Sequence, residues 1–260
     1  MSRVKKQPLL QLLVERYPEY DKERLASFAV CRNILVNGEV CTDAKSEIPF
    51  DSRIDIVFDQ FVSRGAYKLL HALRVWGIDC QDLIVLDAGS STGGFTDCLL
   101  QHGAKLVHAV DVGYNQLHWK LRNDPRVVVH ERQNIMTLDS LDPIPDAAVA
   151  DLSFRSLQHV ATRLFSLIGG NWVICLIKPQ FEVPKDLAGF SGIVEDPEEI
   201  KKVLIRLFDT FEEEEIAVQG LTESPIKGRK GNREFLVLLS RTHGIDRTRF
   251  IQLAEDLLHV

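Results

Sequence analysis

The stretch from Leu83 to Asp97, which reads LIVLDAGSSTGGFTD, restricts the possible folds of this chain more than any other. A short apolar run that can form a buried strand leads into Asp87, then into a loop of small residues, and then into a possible helix. In α/β proteins, such a strand-loop-helix unit presents backbone N–H groups to a polar ligand at the carboxyl end of the strand. The stretch therefore predicts a small-ligand site at the edge of a sheet.

Strand-like and helix-like segments alternate from residue 82 onward. This alternation predicts an α/β domain with a Rossmann-like, mostly parallel sheet and helices on both faces. We expect strands at 84–86, 106–110, 127–130, 147–150 and 172–177, followed by a final pair at 216–221 and 234–239. The expected helices are 95–101, 116–122, 157–167, 197–213 and 247–258.

Residues 1–60 have a different pattern. Apolar residues at helical spacing predict a helix at 9–17 that Pro18 ends, and Asp21 is a suitable N-cap for a second helix. The sequence VNGEV indicates a tight hairpin turn, and a short strand is expected at 55–58. This order resembles the small α+β RNA-binding module shared by ribosomal protein S-four, pseudouridine synthases and tyrosyl-tRNA synthetases. We therefore divide the chain into an RNA-binding module at 1–60, a linker and lead-in helix at 61–81, and a main domain at 82–260.

RNA contacts in this module would come from its basic side chains. The segment to Gln60 holds nine Lys and Arg against ten Asp and Glu, so its summed charge is about neutral. The alternative is a purely structural module that binds no RNA. The candidates for phosphate contact are Lys5, Lys6, Lys22, Arg24 and Arg32.

Charge and hydropathy argue against several classes of protein. The formal net charge is −6, so a nucleic-acid partner must meet a local basic patch. The chain has no run of about eighteen apolar residues and no apolar signal sequence near its first residue, which predicts a cytoplasmic protein without a membrane span. Five cysteines without CxxC or Cys/His spacing predict reduced thiols and no metal site.

Polar residues at successive strand ends indicate the kind of cofactor. The G-x-G-x-x-G fingerprint of dinucleotide-binding proteins is absent, and a carboxylate opens the loop instead, which suits a ligand with a cationic amino-acid end. A carboxylate at the end of the next strand can accept hydrogen bonds from ribose hydroxyls. This pattern favours S-adenosylmethionine over NAD; the alternative is that these are only turn-forming residues. The strand-end candidates are Asp87, Asp111, Asn134 and Asp151.

Four ionisable residues stand out by their context. Lys68 follows the linker, Asp151 and Lys178 each end an apolar strand, and Glu234 follows KGRKGN. An ammonium group directly after a buried strand needs carboxylate partners or must lose its proton, although a lone lysine there is more often solvated. Two lysines and two carboxylates around one sheet edge would hold each other in place. A second nearby cation would favour the neutral amine of Lys178, making it a general base.

Several motifs in order identify a family that the chain resembles. SRGAYKL, DAGSSTGGFTD, ADLSF, IKPQFE and KGRKGNREF resemble the TlyA group of ribosomal-RNA 2′-O-methyltransferases, often labelled haemolysin A, whose catalytic domain is similar to FtsJ. SRGAYKL departs from the common SRGGxKL by Ala66, with little expected effect unless that position needs a positive φ angle. The resemblance implies a catalytic tetrad of Lys68, Asp151, Lys178 and Glu234. It implies a cofactor loop of Asp87, Gly89, Ser91, Gly93, Gly94 and Phe95.

The same resemblance implies the reaction. Lys178 would remove the proton of an RNA ribose 2′-hydroxyl, whose oxygen would then attack the sulfonium methyl. Asp151 and Glu234 would orient the lysines, and Lys68 would tune Lys178. Ribosomal RNA or a ribosomal subunit would be the partner. Two other functions fit parts of the sequence, namely a catalytically silent RNA-binding protein and a membrane-active haemolysin, although the latter lacks an export signal and an apolar span.

Overall fold

The structure is a computed structural model that describes residues 6–30, 33–57, 60–153, 156–183, 192–228 and 230–259. The chain divides into two compact units, Met1–Gln60 and Phe61–Val260. Each unit has hydrophobic core residues of its own, and the second unit contains the loop after Asp87 and the candidate tetrad.

Within its described residues, the first unit combines short helices with small antiparallel sheets. Asp21 Oδ1 accepts a 2.7 Å hydrogen bond from the backbone N–H of Arg24, which confirms the expected N-cap of the second helix. Asn37 and Gly38, with φ angles of 51° and 87°, form the turn of the expected hairpin. The elements are β1 (Lys6–Pro8), α1 (Leu9–Arg16), α2 (Lys22–Val30), β2 (Ile34–Val36), β3 (Glu39–Val40), β4 (Glu47–Pro49) and β5 (Ile54–Ile56). The sequence does not predict the β1–β4 pair, because strands of three residues give no periodic signal.

The second unit is built on one sheet. Its elements are α3 (Ala66–Trp76), β6 (Ile84–Ala88), α4 (Gly94–Gln101), β7 (Leu106–Asp111), α5 (Trp119–Arg122), β8 (Val127–Glu131), β9 (Ala147–Ala150), α6 (Val160–Leu167), β10 (Trp172–Ile177), α7 (Pro179–Glu182), α8 (Pro197–Glu213), β11 (Ala217–Glu223), β12 (Phe235–Ser240) and α9 (Arg247–Leu258). The strand order is β11-β12-β10-β9-β6-β7-β8. Strands from β10 to β8 run parallel, whereas β12 runs antiparallel to β10 and β11. The prediction of a mostly parallel Rossmann-like sheet is confirmed.

The order of the strands determines where a ligand can bind. From β6 the chain proceeds to β7 and β8 on one side and then returns to β9 and β10 on the other. The direction of winding therefore reverses between β6 and β9, and ligands of open α/β sheets bind at the carboxyl ends of the strands beside such a reversal. The loop after β6 lies at this point.

Both faces of the sheet are covered, as predicted. Val85 packs in a core with residues of α3 and α4, whereas its neighbour Leu86 packs in the opposite core with residues of α6 and α8. The lead-in helix α3 belongs to the first of these cores through Leu69 and Leu73. Ala66 is the first residue of α3, so a positive φ angle is not required there.

α5 begins at Trp119 rather than at 116, because His118 caps it by accepting from the N–H of Lys120. Two further differences from the expected helices lie near the strand ends. α6 begins at Val160 rather than at 157, because His159 has a φ angle of 63° and the N–H of Leu157 donates to Glu182 Oε1 at 2.9 Å. The sequence also does not predict α7, a single turn that begins at Pro179 directly after β10. These differences matter because both segments follow strands that carry candidate tetrad residues.

Candidate active site

The loop after β6 is held against two neighbouring strand ends. The N–H groups of Gly89 and Ser90 both donate to the carbonyl of Val110 in β7, at 2.8 and 3.1 Å. Gly89 has a φ angle of 85°, and a Cβ atom there would lie 2.6 Å from the carbonyl oxygen of Asp151, which follows β9. Glycine is therefore required at residue 89, because a side chain would separate the loop from the strand end that carries Asp151.

Gly89→Ala is expected to destabilise the protein more than Gly77→Ala. Both glycines have positive φ angles, 85° and 61°, and this backbone conformation costs a residue with a Cβ about 1–2 kcal/mol. A Cβ at Gly77 meets no atom within 4 Å, whereas one at Gly89 overlaps Asp151. The difference between the free energies of unfolding, measured in urea, isolates this overlap. Equal losses in the two variants would mean that the loop moves away from β9 without penalty.

Asp111 joins the loop after β6 to the loop after β7. The N–H of Ser91 donates to Asp111 Oδ2 at 2.8 Å, and the N–H of Gly113 donates to Oδ1 at 2.6 Å. Gly93, with a φ angle of 94°, immediately precedes α4, and Gly94 is the first residue of that helix. These predicted cofactor residues therefore lie together at the ends of adjacent parallel strands.

Two predicted cofactor residues differ from the others, since the side chain of Phe95 is buried and Asn134 follows a more distant strand, β8. The side chain of Phe95 is 3% exposed and packs in the core with α3, so a contact with a cofactor would involve its backbone. Asn134 Oδ1 accepts a 3.0 Å hydrogen bond from the N–H of Met136 and begins a short 3-10 turn after β8.

Asp87, in β6, is a buried carboxylic acid with one unused oxygen. Its Oδ2 atom accepts a 2.6 Å hydrogen bond from the Thr96 hydroxyl, whereas Oδ1 is buried without a hydrogen-bond partner in the described part of the chain. Burial raises the pKa of Asp87 to about 7; the Thr96 hydrogen bond opposes this rise and the charge of Asp151 adds to it. A buried acceptor without a donor is unfavourable, so the site suits a cationic ligand group.

Lys68, Asp151, Lys178 and Glu234 form one continuous array of alternating charge. Lys178 Nζ lies 2.6 Å from Asp151 Oδ1. Lys68 Nζ lies 3.9 Å from Asp151 Oδ2 and 2.6 Å from Glu234 Oε2. Both lysines therefore share one carboxylate, and all four side chains are largely buried. Charges removed from water in this way need opposite charges at close range.

The sheet topology explains why these four residues meet. Lys178 follows β10 and Glu234 precedes the antiparallel strand β12, so both lie at the same edge of the sheet. Asp151 follows β9, the parallel neighbour of β10, and reaches the same edge. Lys68 comes from the first turn of α3, which packs on one face of the sheet.

The structure adds residues that the sequence analysis does not select. Lys178 Nζ donates to Ser153 Oγ at 3.1 Å. Glu182 in α7 accepts hydrogen bonds from the Ser156 hydroxyl (2.6 Å) and the Leu157 N–H (2.9 Å), and thereby joins the loop after β10 to the loop after β9. Burial raises the pKa of Glu182. Their presence in the ADLSF and IKPQFE motifs is the only sequence signal that could have identified Ser153 and Glu182.

Three of the five RNA-binding candidates in the first unit belong to the described residues. Lys5 and Arg32 lie outside the described residues. Lys6, Lys22 and Arg24 are exposed, and the guanidinium of Arg24 lies 5.4 Å from the centre of a tyrosine ring. Because these three side chains are exposed to solvent, each can contact a phosphate directly.

Similar proteins and a matching family are found along most of the chain. Residues 61–241 match the family described as FtsJ-like methyltransferase. The "Putative rRNA methyltransferase YqxC" of Bacillus subtilis (strain 168) is 43% identical over 242 residues, which cover 90% of this chain and 86% of that protein. The "16S/23S rRNA (cytidine-2'-O)-methyltransferase TlyA" of Mycobacterium tuberculosis (strain ATCC 25618 / H37Rv) is 38% identical over 253 residues, which cover 95% of this chain and 94% of TlyA.

A solved structure is similar over nearly its whole length. It is a "Putative hemolysin from Streptococcus thermophilus", with a TM-score of 0.74 and 34% sequence identity, and the match covers 99% of this chain and 97% of that one. With regard to the hemolysin name, the helices within the described ranges of this chain are all too short or too polar to span a lipid bilayer.

Proposed function

This chain belongs to the FtsJ-like methyltransferase family, and we propose that it transfers a methyl group from S-adenosylmethionine to a ribose 2′-hydroxyl of ribosomal RNA. The observation that carries the proposal is the Lys68–Asp151–Lys178–Glu234 array at the sheet edge next to the loop after β6. A lysine fixed by a carboxylate can serve as the base for a hydroxyl group. The name of the TlyA relative, a cytidine-2′-O-methyltransferase of 16S and 23S rRNA, supports this substrate.

S-adenosylmethionine is the cofactor, and when bound it supplies a methyl group that is already activated by a positively charged sulfur. The Oδ1 atom of Asp87 matches the ammonium group of this cofactor in charge and in hydrogen-bonding capacity. Asp111, at the end of the next strand, is the acceptor for ribose hydroxyls in the same arrangement that nucleotide-binding α/β proteins use. The N–H groups of Gly89 and Ser91 donate to Val110 and Asp111, and they thereby hold the loop against the end of β7.

Lys178 is the general base of the proposed reaction. Its Nζ atom has two partners, Asp151 Oδ1 at 2.6 Å and Ser153 Oγ at 3.1 Å. A neutral amine has two N–H groups and one lone pair, so an amine that donates to Ser153 keeps a lone pair for an incoming proton. Lys178 can then accept the proton of the ribose hydroxyl.

Lys68 is the fixed cation of the array. Its ammonium group is held at 2.6 Å by Glu234 and also lies 3.9 Å from Asp151. A preorganised positive charge at this position stabilises the negative charge that develops on the ribose oxygen as the proton leaves. Glu234 therefore acts through Lys68, and Asp151 acts through both lysines.

The unit Met1–Gln60 is the proposed RNA-binding module, and the following unit carries the chemistry. Lys6, Lys22 and Arg24 offer exposed positive charges for phosphate contact. Because ribosomal RNA is the proposed substrate, we expect the activity in the cytoplasm.

The proposal is tested by locating the methyl group on the RNA. The protein is incubated with S-adenosylmethionine and ribosomal subunits, the rRNA is digested to nucleosides for mass spectrometry, and the modified position is mapped by its resistance to alkaline hydrolysis. A 2′-O-methylated nucleoside is expected, and S-adenosylhomocysteine in excess should suppress it. A methylated base would overturn the proposal. RNA binding without any methylation would identify the catalytically silent alternative.

A further inference from the structure

A short basic turn connects β11 to β12 at the edge of the sheet where the tetrad lies. We call Lys227, Gly228, Lys230 and Gly231 the basic turn; Arg229, which lies between them in the sequence, is outside the described residues. Resting on the proposed function, we infer that the basic turn binds phosphates of the RNA strand beside the target ribose. It would thereby supply an RNA contact within the catalytic unit itself.

Backbone hydrogen bonds hold the two glycines of the basic turn. The N–H of Gly228 donates to the carbonyl of Asn232 at 2.8 Å, and the N–H of Gly231 donates to the carbonyl of Gly228 at 2.8 Å. Asn232 is only 3% exposed, and its amide donates to Gly192 O and accepts from Val194 N–H, both at 2.9 Å. Gly228 and Gly231, which neighbour Lys227 and Lys230, are therefore held by hydrogen bonds, and this lowers the entropy lost when the lysines bind.

The backbone of the basic turn touches the catalytic array. A Cβ atom added to Gly228 would lie 2.5 Å from Glu234 Oε1, and Glu234 holds Lys68 at 2.6 Å. A ribose that reaches the tetrad must therefore bring its neighbouring phosphates close to this turn. Glycine at residue 228 permits the approach, because a side chain there would displace the Glu234 carboxylate.

The two lysines of the basic turn have no acidic partner among the residues that the structure describes. Lys227 and Lys230 are exposed, and neither forms an ion pair with another described residue. Residues 224–232 contain no Asp or Glu, in a chain whose net charge is −6. The adjacent Arg233 is different, because it makes two hydrogen bonds to Glu223 and one to the carbonyl of Leu257. Lys227 and Lys230, which precede Asn232, can therefore bind an external polyanion, whereas Arg233 stabilises the fold through its contacts with Glu223 and Leu257.

The test uses Lys227→Gln, Lys230→Gln and the double variant, with Lys105→Gln as the matched control. Lys105 is also exposed, but it precedes β7 and therefore lies at the opposite edge of the sheet. Affinity for deproteinised ribosomal RNA is measured by filter binding between about 50 and 300 mM KCl. The double variant should bind about tenfold more weakly near physiological salt, and the slope of log K against log salt should fall by about 1.4. Lys105→Gln should behave like the wild type.

Three results would overturn the inference. The first is an unchanged affinity and salt slope in the double variant, and the second is an equal loss in Lys105→Gln. The third is a loss seen with intact ribosomal subunits but not with deproteinised RNA, which would assign the basic turn to a protein contact. Calorimetric binding of S-adenosylmethionine to each variant reports whether the fold is intact. Failure of the wild type to form a 2′-O-methylated nucleoside would refute the proposed function separately, since RNA binding is measured without turnover.

Discussion

Replacing Lys178 by methionine is expected to lower kcat for methyl transfer by about 10²–10⁴-fold, the usual contribution of a positioned general base. Methionine is unbranched and matches the lysine side chain up to Cε, but it has no proton acceptor at the Nζ position, which lies 2.6 Å from Asp151 and 3.1 Å from Ser153. The rate is measured with radiolabelled methyl donor and ribosomal subunits at saturating substrate. Affinity for S-adenosylmethionine should change little, because Asp87 and Asp111 remain in place.

Lys201→Met is the control for loss of a paired lysine as such. Lys201 Nζ also lies 2.6 Å from a carboxylate, that of Glu255, but the pair joins α8 to α9 outside the tetrad. This variant should retain the wild-type kcat. Ser153→Ala should lower kcat less than Lys178→Met, because Asp151 still orients the amine. A normal kcat in Lys178→Met would remove Lys178 from the chemistry and leave positioning as the role of the array.

The sheet could be predicted from the sequence because its strands are continuous apolar runs. Every residue of Ala147–Ala150 and all but the first residue of Trp172–Ile177 are buried, and the structure confirms the expected bounds of both strands. The sequence also predicts α8, because Asp196 is a suitable N-cap and Pro197 is a favoured first residue of a helix. α7 and the β1–β4 pair are too short to give a periodic signal, and tertiary contacts rather than local preference stabilise them.

The tetrad could be found because each strand-end residue is unusual in its local sequence. Lysine after the apolar strand β10 and aspartate after β9 indicate a polar site before any contact is known. Ser153 has no such signal, because its importance depends on Lys178, from which it is separated by 25 residues. The roles of the predicted residues toward the cofactor stay predictions, and the buried side chain of Phe95 limits any contact of that residue to its backbone.

The unused oxygen of Asp87 leads to a prediction about cofactor binding and pH. With a pKa of about 7 in the ligand-free protein, the buried carboxyl is mostly protonated at pH 6. It must lose that proton to pair with the ammonium group of S-adenosylmethionine. Affinity should therefore rise with pH up to about 7, then level off, and it should fall by up to about tenfold per pH unit below that value. Calorimetry in buffers of different ionisation enthalpy should detect release of roughly one proton per cofactor bound at pH 6.

Two variants separate Asp87 from other buried acids. Asp87→Asn should weaken cofactor binding by about 10- to 100-fold at pH 8, the range for loss of a charged hydrogen bond, and should abolish proton release. Glu182→Gln removes a different buried carboxyl with a raised pKa, outside the loop after β6, and should keep the wild-type pH dependence.

The raised pKa of Asp87 also determines whether the stability of the ligand-free protein rises or falls with pH. A protonated Asp87 stabilises the ligand-free fold fully below its unfolded value of 3.8, and this stabilisation is lost as pH rises through about 7. The ligand pairs with the ionised form, so the increase in Tm that a saturating cofactor concentration produces should be larger at pH 8 than at pH 6. A pH-independent affinity between 6 and 8, without proton release, would show that the ammonium group binds elsewhere and that Asp87 serves the fold alone.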